Sequence, residues 1–146
     1  MTAFHIALGT ALIAVNALAA VLGGVQWRRG RTSRLFWPLL RAGQALVVVE
    51  ALDGAILLLQ GDDLPRLHLI YGLVPLAVSF VAEQLRLVSA DQILENRDLE
   101  GRADVERLSA DEQAELVHAI LGREMGVMAA SAGVVALLGV RAAGLL

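Results

Sequence analysis

The chain has 146 residues, of which 57% are hydrophobic and 18% charged, and it contains no cysteine. In an average soluble domain about half of the residues are apolar and about a quarter are charged, so this composition indicates a membrane protein. The absence of cysteine excludes disulfides, CxxC redox motifs, covalent haem attachment and thiolate metal sites. The sequence contains no phosphate-binding glycine loop, nucleophile elbow, HExxH motif or nucleic-acid motif. We therefore expect neither an enzyme in its own right nor nucleic-acid binding.

Four apolar segments are each long enough to cross a bilayer as a helix. The first contains about 23 residues, or roughly 34 Å of helix, a length that also suits a signal peptide. No basic residue precedes it, so we expect an uncleaved span with its N-terminus outside. Pro38 marks the start of the second helix, an acidic turn at 60–63 ends it, and Pro75 is expected to kink the third helix unless neighbours satisfy the freed carbonyl. The predicted spans are 3–25, 39–60, 66–88 and 124–145.

A polar segment separates the third and fourth spans. Residues 89–123 carry nine acidic residues and four arginines, with apolar residues spaced among them. The sequence Ser109-Ala110-Asp111-Glu112 is a capping box, which predicts a helix that begins at Ala110 and continues through Gly122 into the fourth span. We therefore predict an amphipathic helical hairpin over about 89–122, joined near 98–104, which provides a docking surface for a cytoplasmic partner.

The arginines predict how the chain is oriented. Five of the twelve, Arg28, Arg29, Arg31, Arg34 and Arg41, fall in or beside the loop predicted at 26–38, together with Trp27, Phe36 and Trp37. Under the four-span topology ten arginines lie inside and two, Arg66 and Arg141, outside. The expected fold is thus an all-α integral membrane four-helix bundle, multi-pass in a bacterial inner (plasma) membrane. Both termini are on the outer face, the helical hairpin between helices three and four is cytoplasmic, and the lipid bilayer is the main partner.

Two helices carry stripes of small and polar residues that are expected to face the bundle interior. At about 100° per residue, positions three, four, seven and eleven apart share one face. The stripe on the first helix is His5, Gly9, Leu12, Asn16, Ala19, Ala20 and Gly23. The stripe on the third helix is His68, Tyr71, Gly72, Pro75, Ser79, Ala82, Glu83 and Arg86.

His5 and His68 are candidate ligands of a metal or a haem. His5 lies about 6 Å from the outer end of its helix and His68 about 5 Å beyond Pro65, so both imidazoles are at one level. Neutral imidazoles from two helices are what a bis-His haem b requires. Copper bound by the same two histidines is an alternative to haem. It would need a third ligand, for which the Met1 thioether is the candidate at this face.

Arginine and tyrosine side chains accompany the two histidines at this level. Arg66 and Arg141 are placed to meet haem propionates, with Tyr71 packing or hydrogen-bonding beside the iron.

The segment 67–72, Leu-His-Leu-Ile-Tyr-Gly, and the bundle layout resemble small four-helix bacterial membrane cytochromes of the b561 type and the related copper-resistance-D membrane domains. This resemblance covers helices one to three and implies electron transfer through haem b. Fuller members carry two histidine pairs near opposite faces, whereas the inner half of this chain has none. One haem is therefore the most that the resemblance implies.

Two carboxylates lie inside the second span. Glu50 is roughly 15 Å from the outer end and Asp53 is one turn further out on the same face. Each costs about 2.5 to 3.5 kcal/mol at the centre of a membrane helix, so at least one should be protonated or paired. They indicate ion or proton handling. Alternatively, they fix helix order through hydrogen bonds to the backbone or to the side chains of Asn16, Ser79 and Ser131.

The remaining motifs have structural interpretations. Glu83 and Arg86 are three residues apart and predict a local ion pair, and His118 is expected to be solvated. The row Gly122, Gly126 and Ala130 predicts a close helix contact or a homodimer seam. For the arginine loop, binding of anionic lipid head groups is an alternative to orientation alone.

Three functions follow from these features. The first is a haem b electron-transfer module, alone or as a subunit of a membrane redox complex, with His5 and His68 as axial ligands. The second is a non-enzymatic accessory or assembly subunit that docks a partner through the hairpin. The third is a small proton- or ion-coupled transporter that uses Glu50 and Asp53 and works as an oligomer, because four helices rarely enclose a pathway alone.

Overall fold

The computed structural model describes residues 3–61 and 65–146, of which 84% are helical and none are in strands. This confirms the all-α class with four long apolar helices. Those helices are α1 (Ala3–Arg28), α2 (Phe36–Leu59), α3 (Arg66–Glu95) and α5 (Ala110–Ala142), and a short helix, α4 (Arg102–Arg107), lies between the last two. Met1 and the acidic residues Asp62 and Asp63 lie outside the described residues.

The four long helices pack side by side in a closed ring. α1 packs against α2 and α5, and α3 packs against α5 and, over a smaller area, α2. The order around the ring is therefore α1, α2, α3, α5, and α1 faces α3 across one diagonal. We call the end that holds His5 and His68 the histidine end, and the end that holds Arg28, Arg31 and Arg123 the arginine end.

Most of the apolar surface of these helices faces away from the bundle. Each long helix is long and apolar enough to cross a bilayer, yet only 17 to 33% of the residues in its most apolar stretch are buried. Leu18, Phe80 and Leu137 are among the large side chains left exposed. So large an exposed apolar surface requires lipid or a partner around it.

The two predicted stripes do face inwards. On α1, His5, Leu12, Asn16, Ala19 and Gly23 are its buried residues. On α3 no member of the stripe is exposed, and Pro75 and Ala82 are buried. α3 continues as one helix through Pro75.

Some helix bounds differ from the prediction. The loop predicted at 26–38 is shorter, because α1 continues to Arg28 and α2 already begins at Phe36. The ring of Phe36 is fully buried in the core, which accounts for the earlier start of the helix. The hairpin connection, predicted near 98–104, instead contains α4, in which Arg102 pairs with Glu106 four residues later at 2.7 Å.

The predicted capping box is present at the start of α5. The amide of Glu112 donates to the Ser109 hydroxyl at 3.3 Å, and the amide of Ser109 donates to the Glu112 carboxylate at 2.8 Å. The Ser109 hydroxyl also donates to this carboxylate at 2.7 Å, and the hydrogen bonds from the hydroxyl and the amide of Ser109 lower the pKa of the Glu112 carboxyl. From this cap α5 runs without a break to Ala142.

Glycines allow the closest helix contacts. A Cβ at Gly23 would lie 2.5 Å from the ring of Phe36 and 2.8 Å from the Cβ of Ala129. A Cβ at Gly126 would lie 2.8 Å from the indole of Trp27. The close helix contact predicted for the row of small residues on α5 is present at Gly126, which is buried against α1, whereas Ala130 is exposed.

The neighbours Gly23 and Gly24 provide a matched test of this packing. We expect Gly23→Ala to lower the unfolding free energy by about 1 to 3 kcal/mol, since the new methyl overlaps Phe36 and Ala129. Gly24 has nothing within 4 Å of its virtual Cβ, so Gly24→Ala should be neutral or stabilise by up to about 1 kcal/mol. Unfolding in detergent micelles, followed by circular dichroism, measures both. Equal effects of the two substitutions would contradict this packing.

Candidate functional site

Four titratable side chains from three helices meet at the histidine end. His5 comes from α1, Glu50 and Asp53 from α2, and His68 from α3. We call these four residues the histidine cluster. The sequence placed the two histidines at one level and the two carboxylates on one face, but it did not place the pairs together.

A chain of contacts runs through this cluster. Nδ1 of His5 lies 2.9 Å from Oδ2 of Asp53, and Nε2 of His5 lies 3.5 Å from Nε2 of His68. Nδ1 of His68 lies 3.0 Å from the carbonyl oxygen of Ala142, in the last turn of α5. This series of contacts therefore joins all four long helices, and the contact between the two imidazoles spans the bundle diagonal.

The positions of the hydrogens in these three contacts follow from which atoms can donate. The Ala142 carbonyl only accepts, so Nδ1 of His68 carries a hydrogen and Nε2 of a neutral His68 accepts. Nε2 of His5 must then donate to it. The contact between His5 and Asp53 needs a further proton, held by either group. The three contacts thus hold three protons, whereas one carboxylate and two neutral imidazoles carry only two.

Glu50 lies beside the contact between His5 and Asp53. Its Oε1 is 3.4 Å from Nδ1 of His5, and its Oε2 is buried without a hydrogen-bond partner among the described residues. A Cβ at Gly9 would lie 3.1 Å from Oε1, so this glycine makes room for the carboxylate. An unpaired buried oxygen is a costly group, and it can take up a second proton or a cation.

Asn16, one of the alternative partners that the sequence offered for the carboxylates, binds elsewhere. Asp53 contacts His5, and the buried side-chain amide of Asn16 donates to the Leu12 carbonyl at 2.9 Å. Asn16 also packs against Gly43, whose virtual Cβ lies 2.8 Å from Oδ1 of the amide. The carboxylates therefore bind a histidine instead of an amide or a hydroxyl.

The two imidazoles are also arranged as metal ligands often are. Ligating histidines commonly donate their other ring N–H to a carboxylate or a carbonyl, as His5 and His68 would to Asp53 and Ala142. Two metal–nitrogen bonds of about 2.0 to 2.1 Å span about 4 Å when they are collinear, and less when they are bent. The separation of 3.5 Å thus suits a bent arrangement better than the trans ligands of a haem iron. Among the described residues no group of three or more His, Asp or Glu side chains could hold a metal ion.

The other residues predicted for this site lie near it. The Arg141 guanidinium stacks on Tyr71 at 5.7 Å from the ring centroid, and it donates to the carbonyl of Leu146. Arg66 is exposed at the start of α3. The structure therefore places Arg141 and Tyr71 together, one turn from the Ala142 and His68 contact.

A second charged cluster lies towards the arginine end, and only part of it was predicted. The predicted pair of Glu83 and Arg86 is present at 3.2 Å, although Arg86 Nε lacks hydrogen-bond geometry. Arg41 and Gln44 of α2 also donate to Glu83, the latter at 2.8 Å, and Arg86 reaches Glu124 of α5 at 3.6 Å. We call these five residues the arginine clamp. Gln44 and Glu124 were missed because their partners are on other helices.

An apolar layer separates the two charged clusters. Leu12, Val47 and Val135 are buried against one another across α1, α2 and α5. On α2, Val47 lies midway between Glu50 and Gln44, which are about 9 Å apart along the helix axis. Along its length the bundle interior is therefore polar at the histidine cluster, apolar in the middle and polar again at the arginine clamp.

No known protein family, curated protein or solved structure matches the chain.

The histidine tautomers provide a direct test of the contacts. We expect Nδ1 of His68 to carry the hydrogen, because it donates to the Ala142 carbonyl. His118 is a control within the same chain, since its Nε2 donates to the Gly30 carbonyl at 2.9 Å and it should be the opposite tautomer. Nitrogen-15 NMR of histidine-labelled protein at neutral pH distinguishes the two. A His68 protonated only on Nε2 would contradict the contact.

Proposed function

We propose that this chain is an integral membrane protein whose four long helices cross the bilayer, with the arginine end in the cytoplasm and both termini outside. The exposed apolar surface of the helices supports membrane insertion. The orientation is supported by the positions of the arginines, because ten of the twelve lie towards the arginine end or in the hairpin. The bilayer of a bacterial inner membrane fits this distribution.

Within this bundle we propose that the histidine cluster binds and releases protons as part of a small proton-coupled transporter. The observation that carries the proposal is the third proton required by the contacts of Asp53, His5 and His68. Loss of that proton leaves His5 with one hydrogen for two contacts. The hydrogen bond to the charged Asp53 carboxylate is the stronger of the two, so the hydrogen stays on Nδ1. The Nε2 lone pairs of His5 and His68 then face each other at 3.5 Å and repel. Proton release is therefore coupled to separation of α1 from α3, and a small cation is the other species that would hold the two together.

The apolar layer leaves the histidine cluster open to protons from one side only. Protons reach the histidine cluster from the histidine end, while Leu12, Val47 and Val135 close the interior below Glu50. Passage towards the arginine clamp requires the layer to open or to hydrate. Because four helices enclose little space, we propose that the transporting unit is an oligomer of this chain.

Proteoliposomes that contain a pH-sensitive dye test the transport proposal. We expect proton movement when a potassium diffusion potential is imposed, or when sodium or potassium is added outside. Asp53→Asn and His68→Gln should each reduce it about tenfold or more, because a charge-assisted hydrogen bond contributes about 1.5 to 3 kcal/mol.

His118→Gln and Asp91→Asn are the matched controls, since both residues are exposed and lie outside the cluster. They should transport protons as the unmodified protein does. Proton movement no faster than in protein-free liposomes under any of these gradients would refute the proposal, as would equal rates in all four variants.

A haem b electron-transfer module is the second candidate function. It is favoured by the two Nε2 atoms that face each other while both Nδ1 atoms contact acceptors. His5 and His68 would hold the iron, Arg66 and Arg141 would lie near the propionates, and the haem would supply one-electron transfer.

An absorption spectrum distinguishes the two candidates. If haem is bound, the protein purified after expression with ample haem should show a Soret band and a sharp α-band on reduction with dithionite. His68→Ala should lose both bands, and His118→Ala should retain them. A colourless protein would remove this candidate and leave proton transport in place.

A further inference from the structure

An open cavity at the arginine end combines basic and aromatic side chains. It has a volume of about 330 Å³ and lies where the end of α1 and the turn after it meet α5. Trp27, Gly30, Arg31, His118 and Arg123 line it, and no acidic residue does. The other described cavity, beside α4, differs in having Asp91, Glu95, Asp98 and Glu100 in its wall.

Among the described residues, the arginines of this cavity are without carboxylate partners. No described Asp or Glu lies within ion-pair distance of Arg31 or Arg123, whereas Arg97, Arg102 and Arg107 of the hairpin each form an ion pair. Two like charges in one wall repel each other unless an anion lies between them. The cavity therefore presents a positive surface that its own chain does not neutralise.

Hydrogen bonds of the turn after α1 fix the backbone conformation of this wall without a ligand. The amide of Gly30 donates to the Trp27 carbonyl at 3.0 Å, and the amide of Arg31 donates to the Gln26 carbonyl at 2.9 Å. This is a Schellman motif, with Gly30 in the left-handed conformation at φ 62°. Nε2 of His118 donates to the carbonyl of Gly30 at 2.9 Å and fastens the turn to α5.

The cavity lies at the level where the apolar helices become polar. Trp27 is 53% exposed in the last turn of α1, next to Arg28. On α5, Gly122 and Arg123 stand between the acidic first turns and the apolar remainder. Tryptophan and arginine at such a boundary are typical of the head-group region of a bilayer.

We propose that this cavity binds the phosphate of an anionic phospholipid, with Arg31 and Arg123 as the charged ligands. Guanidinium groups match phosphate oxygens in geometry and charge. Trp27 would then pack against the glycerol and upper acyl chain of the same lipid. This inference rests on the membrane insertion proposed above, but it uses no residue of the histidine cluster and does not depend on proton transport.

The test is thermal unfolding of the detergent-purified protein with added phosphatidylglycerol, phosphatidylcholine or inorganic phosphate. A ligand that binds only the folded state raises Tm. We expect phosphatidylglycerol to raise Tm and phosphatidylcholine, whose head group is zwitterionic, to have little effect. Arg31→Gln and Arg123→Gln should each lower the affinity for phosphatidylglycerol about tenfold, so that about ten times more lipid is needed for the same rise in Tm.

Arg34→Gln is the matched control, because Arg34 is an exposed arginine of the same connection between α1 and α2 and does not line the cavity. It should retain the full effect of phosphatidylglycerol. Equal stabilisation by the two lipids, or equal effects of Arg34→Gln and Arg31→Gln, would overturn the proposal. Millimolar inorganic phosphate that raises Tm as much as the lipid would overturn the lipid as the source of the phosphate.

Discussion

The contact between His5 and His68 is the interaction on which the histidine end depends. It joins α1 and α3, which face each other across the diagonal of the ring. His5 also contacts Asp53 of α2, and His68 contacts the Ala142 carbonyl of α5, so the same two residues link the other two helices. An apolar interior gives polar groups no water to bind, and His5, Asp53 and His68 find their partners on other helices. One series of side-chain and carbonyl contacts therefore links all four long helices at this end.

The same constraint shapes the other end of the bundle. Glu83 lies inside the ring and is matched by Arg41, Gln44 and Arg86, so its charge is shared by α2 and α3. Between the two clusters the interior is filled by apolar side chains, which need no partners and pack closely. Polar groups are thus confined to two levels, and the closest helix contacts fall where glycine replaces a side chain.

How much the sequence predicts depends on whether a feature is local or long-range. The long apolar runs predicted the four helices, three- and four-residue spacing predicted the buried stripe from His5 to Gly23, and Ser109 with Glu112 predicted the start of α5. These signals lie within one helix. Gln44, Glu124 and the Gly30 carbonyl bind partners that are distant in the sequence, so their roles depend on how helices are placed around the ring. The early start of α2 has the same origin, because the buried Phe36 packs against other helices.

The unbroken course of α5 connects the two ends of the bundle. The helix has 33 residues and is therefore about 50 Å long. Near one end His118 bonds the turn after α1, and at the other end Ala142 bonds His68. The turn after α1 and the start of α3 are therefore bonded to one continuous helix, at residues about 36 Å apart along its axis.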